Sequence, residues 1–395
     1  MARSGNVGVG PGDVVAVEMP LGSAWPGLVE AVWGAGAALM PVDHRLPPPA
    51  RDRLLAAARP TVRVDPTGWH RLAQGSPVDD AVTLVVATSG TSGAQKLALF
   101  TRQAVEAAVL ASAQALGAAR DDGWLACLPP AHIGGLLVVL RASILGAPLV
   151  CLPAFDAAQV AAATSSRFTS LVPLMLRRLL DAEARLGHLR AILVGAGGMD
   201  AGLRERAGAA GVTAVQTYGL TESCGGVVYD GLPLPGIRLR IDPETSAIEL
   251  AGPTLMLEYR FDERATAAAF TPDGWLRTAD GGRLERDGRL HPLGRLDERI
   301  DTGGERVWPD EVEGALRGHP RIVEVAVVGR PDREWGERVV AFVVPTDPAD
   351  PPSLDEIRGH VSLSLPRYMA PRQLVLRRGP LPRSASGKVR RGDLA

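Results

Sequence analysis

A loop rich in hydroxyl groups and glycine is the first feature of this 395-residue sequence that could do chemistry. It occupies residues 87–96, reads ATSGTSGAQK, and follows the apolar run 82–86. Such a loop after a strand can hold phosphate, because backbone N–H groups and hydroxyls donate hydrogen bonds while a cation neutralises charge. Of the 43 lysines and arginines only Lys96 and Lys388 are lysine, so both positions are candidates for a task that needs an ammonium group.

The loop alone leaves two interpretations open. A P-loop would place lysine between glycine and a hydroxyl residue that reaches magnesium. Lys96 stands instead between Gln95 and Leu97, which excludes that motif. A flexible surface turn has a similar composition, so the loop alone supports this interpretation and phosphate binding about equally.

Four further motifs follow the loop along the chain. They are TYGLTE at 217–222, GWLRTAD at 274–280, GRLDERI at 294–300 and PRSASGK at 382–388. With the loop they resemble, in order, the signature motifs of the adenylate-forming enzymes, the superfamily of acyl-CoA synthetases, adenylation domains and luciferases. The resemblance extends from about Val14 to the end of the chain, and it favours phosphate binding for the loop.

The resemblance implies that the chain activates a carboxylic acid with ATP and Mg²⁺ and then forms a thioester with CoA. Glu222 would hold magnesium, a hard cation that prefers oxygen ligands, and Thr221 would contact the α-phosphate. Asp280 would bind the ribose hydroxyls with help from Arg295. The β- and γ-phosphates would lie against Thr88, Ser89, Gly90, Thr91, Ser92 and Lys96, and adenine against Gly195, Ala196, Gly197 and Tyr218.

Lys388 is the eighth residue from the end of the chain, where a mobile tail is the ordinary expectation. In the family the matching lysine bridges the attacking carboxylate and the α-phosphate, so the resemblance makes Lys388 catalytic. The family's small C-terminal domain then rotates to present the CoA thiol. Asp297 matches the hinge position of that rotation.

The segment LPPAHIGG at 128–135 resembles the family segment whose histidine borders the acyl pocket, which makes His132 a candidate catalytic and substrate-binding residue. Arg141 lies nine positions later in an apolar helix. It could extend its charge to solvent, pair with a protein acid, or bind a second carboxylate on the substrate. In having a basic residue at this offset from the histidine, the chain resembles the o-succinylbenzoate:CoA ligases of menaquinone biosynthesis, in particular their short actinobacterial forms. Thr169 and Ser170 are further candidates to line the pocket.

Three alternatives stay open at the level of sequence. The chain could be another aryl- or acyl-CoA ligase of a secondary pathway, an adenylation domain that loads a carrier protein, or an inactive nucleotide binder. The presence of both Glu222 and Lys388 disfavours the last. The loop also departs from the family, with Ala94, Gln95 and Leu97 around its lysine.

The elements that must position these residues alternate between short β-rich runs and helical stretches through the first two thirds of the chain. Strands are predicted at 13–17, 82–86, 125–128, 149–152, 169–172, 191–194 and 212–215, with a helix at 103–116. This alternation predicts βαβ units and largely parallel sheets, with ligands at the carboxyl ends of strands.

The pattern changes after about Tyr229, where short strands and turns predict an antiparallel barrel or meander. From about Asp297 a compact α+β unit is predicted, with helices at 309–317 and 354–363 and strands at 323–328, 338–344 and 373–376. The expected fold is therefore α/β: a large N-terminal domain of βαβ subdomains with a small β-barrel (1–296), and a small mobile α+β C-terminal domain (297–395).

Bulk composition limits the partners. A net charge of −1 and a pI near 6.7 give no general attraction to nucleic acid or anionic membranes, so we expect neither partner. The three cysteines lack metal-site spacing and are expected to be reduced thiols of a cytoplasmic protein. No apolar run is long enough to span a bilayer. The oligomeric state stays open, with a homodimer among the alternatives.

Overall fold

The computed structural model describes residues 7–88, 95–383 and 389–394. The chain divides into two compact units. The first comprises Met1–Leu239, Leu250–Arg277 and Arg286–Leu290, and the second comprises Arg240–Glu249, Thr278–Glu285 and His291–Ala395. These units are defined by packing, and two inner segments group with the C-terminal residues. The functional division into 1–296 and 297–395 stays a prediction.

The first unit begins with a mixed sheet, in which the three central strand pairs are parallel and the outer pairs are antiparallel. Its strands are β1 (Val14–Val17), β2 (Ala38–Pro41), β3 (Val62–Asp65), β4 (Gly68–Arg71), β5 (Val82–Ala87) and β6 (Leu97–Thr101), and its helices are α1 (Trp25–Gly34) and α2 (Pro48–Ala58). β1 pairs in parallel with β2 and β3, and β2 with β5. All residues of β1 and β2 are buried, which is typical of parallel strands covered on both faces.

A second sheet, which is mainly parallel, follows. Its helices are α3 (Arg102–Leu116), α4 (Ile133–Leu145), α5 (Ala157–Ala162), α6 (Pro173–Asp181) and α7 (Ala201–Ala209), and its strands are β7 (Gly123–Ala126), β8 (Leu149–Cys151), β9 (Ser166–Leu171), β10 (Ala191–Val194), β11 (Thr213–Leu220), β12 (Gly225–Tyr229) and β13 (Leu232–Pro233). The strand order is β13-β12-β11-β10-β9-β7-β8. β7 to β11 run parallel, and β12 and β13 add antiparallel strands at one side.

Shorter strands occupy the region where an antiparallel barrel is predicted. They are β14 (Arg238–Ile241), β15 (Ala247–Ala251), β16 (Glu258–Tyr259), β17 (Leu276–Leu284) and β18 (Leu290–Arg295), with helix α8 (Glu263–Ala269) between β16 and β17. A four-stranded sheet has the order β14-β15-β17-β18. β16 pairs with β6 and so completes the first sheet at its edge.

The second unit also contains the α+β fold predicted for the C-terminal region. It consists of β19 (Ile300–Thr302), β20 (Glu305–Val307), α9 (Pro309–Leu316), β21 (Ile322–Asp332), β22 (Gly336–Pro345), α10 (Leu354–Val361) and β23 (Gln373–Leu376). β21 and β22 form a long antiparallel hairpin, and β23 pairs with β22 in parallel. The α/β fold with a small α+β part is thereby confirmed. Across the three described stretches, every helix is too short or too polar to cross a membrane.

Two strands of the second sheet begin earlier than predicted. β7 begins at Gly123 and β9 at Ser166, because the rings of Trp124 and Phe168 pack with centroids 5.0 Å apart and extend the apolar layer. Thr169 therefore lies in the middle of β9, where the prediction had placed it at the start of a strand.

Candidate active site

The serine- and glycine-rich loop joins two antiparallel strands of one hairpin. Ala87 of β5 pairs with Leu97 of β6, and the Thr88 N–H donates to the Lys96 carbonyl at 2.8 Å. Thr88 is buried and Lys96 is exposed. A hairpin differs from the strand-to-helix connection of a P-loop, in agreement with the sequence. The loop candidates Ser89, Gly90, Thr91 and Ser92 lie outside the described residues.

Glu222 is presented by a single helical turn directly after β11. The 3₁₀ turn Thr221–Ser223 is fixed by the buried Ser223, which receives the Leu220 N–H at 3.0 Å and donates to the Gly225 carbonyl at 2.8 Å. A side chain at Gly219 would meet that same carbonyl oxygen, because a Cβ atom there would lie 1.9 Å from it. The motif therefore needs its glycine for the close approach of β11 and β12.

Tyr259 contacts both Glu222 and the end of the phosphate loop, and the sequence motifs did not include it. Its hydroxyl donates to Glu222 Oε1 at 2.6 Å. The Lys96 Nζ atom lies 4.8 Å from the centroid of its ring, within cation–π range. Burial, together with the Glu222 charge, raises the pKa of Tyr259, so the hydroxyl keeps its proton. A usable sequence signal was that the chain has only four tyrosines.

The Glu222 carboxylate is suited to a magnesium ion. One oxygen accepts a hydrogen bond from the Tyr259 hydroxyl, and no other donor among the described residues contacts this carboxylate. The same part of the chain holds no group of three or more potential metal ligands. Mg²⁺ is commonly bound by one or two carboxylates plus substrate phosphates and waters, so a lone carboxylate beside a phosphate loop fits it.

The predicted adenine segment follows β10 and lies beside β11. Val194 pairs with Gln216, and a Cβ atom on Gly195 would come within 2.9 Å of Thr217 Oγ1. Ala196 has a left-handed backbone with φ of 61°, and Gly197 is exposed after it. The structure thus brings residues 195–197 next to the strand that carries Tyr218, which is half-buried.

The second unit contains the predicted ribose pair and the predicted hinge residue as one cluster. Arg295 Nη1 lies 3.6 Å from Asp280 Oδ1, and Arg295 Nε donates to Asp297 Oδ1 at 3.0 Å. The motifs that contain Asp280 and Asp297 are separated by more than ten residues along the chain and share this one arginine.

Lys388 lies outside the described residues, but the segments on either side of it are paired. Arg383 and Val389 form an antiparallel bridge, and the Arg390 N–H donates to the Pro382 carbonyl at 2.8 Å. These contacts hold the described residues on both sides of 384–388 next to one another.

Arg141 is a buried cation, with 3% of its surface exposed. Its guanidinium carbon lies 5.3 Å from the centroid of the Trp124 ring, and Nη2 has a long 3.4 Å contact to the Tyr229 hydroxyl, which in turn lies 2.7 Å from Ser112 Oγ. Arg141 Nε and Trp124 Nε1 are buried and have no hydrogen-bond partner in the part of the chain that the structure describes. No carboxylate among the described residues lies within 4 Å of this guanidinium. Trp124, Tyr229 and Ser112 were not identified from the sequence.

Thr169 and Ser170 have different surroundings although they are adjacent. Thr169 is fully buried and donates to the Leu125 carbonyl at 2.8 Å, so its hydroxyl is already used within the sheet. Because side chains alternate along a strand, Ser170 shares the sheet face of Phe168 and therefore of Trp124 and Arg141. Ser170 is thus the better placed of the two for a pocket beside Arg141.

His132 precedes the first residue of α4 and keeps part of its surface open to solvent. Desolvation lowers the pKa of His132, and the charge of Asp43 partly offsets this effect. Asp43 is itself held by Arg45 through bonds of 2.9 and 2.8 Å, which keep the pKa of Asp43 below its usual value. The sequence motifs missed this Asp43–Arg45 pair, which has no motif of its own.

The chain matches two family models: AMP-binding enzyme over residues 65–259, and AMP-binding enzyme C-terminal domain over residues 311–388. A probable 2-succinylbenzoate–CoA ligase from Mycobacterium tuberculosis is 40% identical over 363 residues, which cover 88% of this chain and 93% of that protein.

Solved structures of one enzyme are also similar. The o-succinylbenzoate CoA synthetase from Bacillus subtilis, in complex with the acyl-adenylate intermediate, has a TM-score of 0.85 and 27% identity, with 98% of this chain and 88% of that chain covered. The same enzyme with ATP and magnesium ion has a TM-score of 0.84 and 27% identity, covering 98% and 90%. Matches of this extent, over a fold with this site, show that the chain belongs to the AMP-binding enzyme family.

Proposed function

We propose that this chain is an ATP-dependent acid:CoA ligase that converts o-succinylbenzoate to o-succinylbenzoyl-CoA in menaquinone biosynthesis. The relatives named above support this substrate, and the environment of Arg141 is the observation that carries it. The substrate has a ring carboxylate in addition to the carboxylate that is activated, so it brings a charge that a simple aryl acid lacks.

Arg141 needs an anion that the described part of the chain does not supply. Burial of an unpaired guanidinium is costly, because the charge loses its hydration. The Tyr229 hydroxyl and the Trp124 ring offset this only in part. Burial raises the pKa of the nearby Cys224 thiol to about 12, so that thiol stays neutral. A substrate carboxylate would form a charge-assisted, bidentate pair with Arg141.

In the first half-reaction a carboxylate oxygen of the acid attacks the α-phosphorus of ATP. The bond from that phosphorus to the bridging oxygen of the β-phosphate breaks, and pyrophosphate leaves. The phosphate loop holds and neutralises the leaving group with Thr88, Ser89, Gly90, Thr91, Ser92 and Lys96. Lys388 and Thr221 stabilise charge at the α-phosphate. Glu222 would hold Mg²⁺, which would supply further neutralisation of the phosphates.

In the second half-reaction the sulfur of CoA attacks the acyl carbon, and AMP leaves with the electrons of the broken carbon–oxygen bond. By the resemblance to the family, residues 195–197 and Tyr218 would bind adenine, and Asp280 and Arg295 would bind the ribose. His132 and Ser170 border the acyl group. Asp297 matches the family's hinge position, where rotation switches those enzymes from the first half-reaction to the second.

The test is pyrophosphate release from a panel of aromatic mono- and dicarboxylic acids, with and without CoA. We expect o-succinylbenzoate to be turned over far better than benzoate, and o-succinylbenzoyl-CoA to accumulate when CoA is present. Equal turnover of the two acids would contradict the role given to the second carboxylate. Product on a carrier protein but none on CoA would favour the carrier-loading alternative.

The role of Lys388 has a separate test in the two half-reactions. Lys388→Ala should abolish adenylate formation from ATP and acid, while thioester formation from supplied acyl adenylate continues. Equal loss of both half-reactions would contradict a role confined to adenylation. The cytoplasmic location stays a prediction, and the oligomeric state stays open.

A further inference from the structure

We propose that Tyr259 is a positioning residue that fixes the magnesium carboxylate Glu222 and the phosphate-loop lysine Lys96 relative to one another. This role rests on the proposed adenylation chemistry, since it concerns MgATP and not the acid. Tyr259 belongs to none of the five sequence motifs. Its two contacts join parts of the site that come from different sheets.

The first contact orients Glu222. A phenol hydroxyl beside a carboxylate donates its proton, and the bond from Tyr259 to Oε1 is 2.6 Å long. Hydrogen bonds to a charged acceptor are the strong ones in proteins. With Oε1 engaged, the carboxylate is held in one orientation and its other oxygen remains available for a cation.

The second contact orients Lys96. Its ammonium lies 4.8 Å from the centre of the Tyr259 ring. A cation over an aromatic face is attracted by the ring's negative potential. Because Lys96 is exposed, this contact restrains a side chain that would otherwise sample many rotamers.

The backbone around Tyr259 is held to both partners. Tyr259 pairs with Ala98 of β6, two residues after Lys96, and the Met256 N–H donates to the Glu222 carbonyl at 2.8 Å. Arg260 anchors the segment on its far side, because its buried guanidinium donates to the Ala58 carbonyl at 2.8 Å and to the Ser76 carbonyl. Tyr259 therefore lies on a rigid strand with both contacts within reach.

Two substitutions separate the contacts. Tyr259→Phe keeps the ring and removes only the hydroxyl, so it should raise the Mg²⁺ concentration for half-maximal pyrophosphate release about tenfold. In calorimetry without acid, this variant should bind MgATP about tenfold more weakly and bind ATP without Mg²⁺ like the unaltered protein. Tyr259→Leu removes the ring as well and should weaken binding of both forms.

Tyr368→Phe is the matched control, because Tyr368 packs on the core of the second unit and its hydroxyl has no hydrogen bond among the described residues. It should leave the Mg²⁺ dependence unchanged. A Tyr259→Phe protein with the same thermal midpoint and an unchanged Mg²⁺ dependence would overturn the proposal, as would a tenfold rise in the KM for the acid alone. Because calorimetry uses no acid, a wrong substrate assignment would leave this test readable.

Discussion

Arg141 in the first unit, which is buried, and Arg391 in the second, which is half-buried, differ in what surrounds the charge. Arg391 has 14% of its side chain exposed and is paired with three carboxylates: Glu313 at 2.9 Å, Glu298 and Asp310. Arg141 is more deeply buried, and no described carboxylate reaches it. Its neighbours are a hydroxyl, an indole and a neutral thiol.

Arg391 forms ion pairs within the fold, whereas the charge of Arg141 remains available for a ligand. Arg391 belongs to the 3₁₀ turn Arg391–Asp393, three residues beyond Lys388, and Glu298 belongs to the turn Leu296–Glu298, which contains Asp297. The acid cluster therefore ties the hinge motif to the chain that follows the predicted catalytic lysine. Arg141 holds no other element in place by an ion pair among the described residues.

The largest expected effect concerns substrate binding at Arg141. Arg141→Met should raise the KM for o-succinylbenzoate about 100-fold, because it removes a charge-assisted bidentate pair. The KM for benzoate should not change. Steady-state pyrophosphate release measures both, and Arg206→Met, at an exposed arginine that pairs with Asp181, serves as the matched control that leaves the KM of the acid unaltered. An unchanged KM for o-succinylbenzoate in Arg141→Met would contradict the conclusion that Arg141, unlike Arg391, binds a ligand.

The next effect concerns stability at Arg391. Arg391→Met should lower the free energy of unfolding of the second unit by about 2 kcal/mol, because the buried Glu313 would keep only its longer 3.6 Å ion pair with Arg317. Urea denaturation followed by circular dichroism measures it. Arg390→Met is the control next in sequence: Arg390 is 60% exposed and, within the described part of the chain, forms an ion pair only with Asp393, so the loss should be at most about 0.5 kcal/mol. Equal losses in both variants would contradict the clustered-charge interpretation.

The stability difference at Arg391 should also depend on pH. Burial raises the pKa of Glu298 and of Glu313, and the Arg391 charge opposes this rise. Without Arg391 the pKa values of Glu298 and Glu313 rise further. As pH falls, these two carboxylates therefore take up protons at a higher pH in the variant than in the unaltered protein, which relieves their unpaired charge. The loss should therefore be largest at pH 8 and smaller at pH 5.5. Urea midpoints at both pH values test this sign, and a loss that grows on acidification would contradict it.

The smallest effect is a gain in stability at the other arginine. Arg141→Met should raise the free energy of unfolding by about 1 kcal/mol in the absence of substrate, because it replaces a buried unpaired charge by an apolar chain of similar length. The same substitution is thus expected to have opposite signs at the two positions. A destabilisation as large as that of Arg391→Met would mean that Arg141 has an internal role, and a thermal-unfolding comparison decides it.

Most of the fold could be predicted from sequence because its signals are local. The strand Ala191–Val194 and the strand Gln373–Leu376 agree with the predicted bounds, and the predicted helix 103–116 is Arg102–Leu116. The error at β9 arose because Ser166, Thr169 and Ser170 are polar and yet lie inside a sheet, where Thr169 bonds to a neighbouring strand. Apolar periodicity does not identify such residues.

The sequence by itself determined the family, the order of the motifs and the residue types that ATP chemistry needs, because each motif is a short stretch whose spacing is covalent. Only the tertiary structure decided that Tyr259 connects Glu222 to Lys96, that Ser170 and not Thr169 shares a face with Arg141, and that Arg141 lacks a described acid where Arg391 has three. These relations depend on which elements pack together. Sequence spacing does not encode which groups a buried charge meets once the chain has folded.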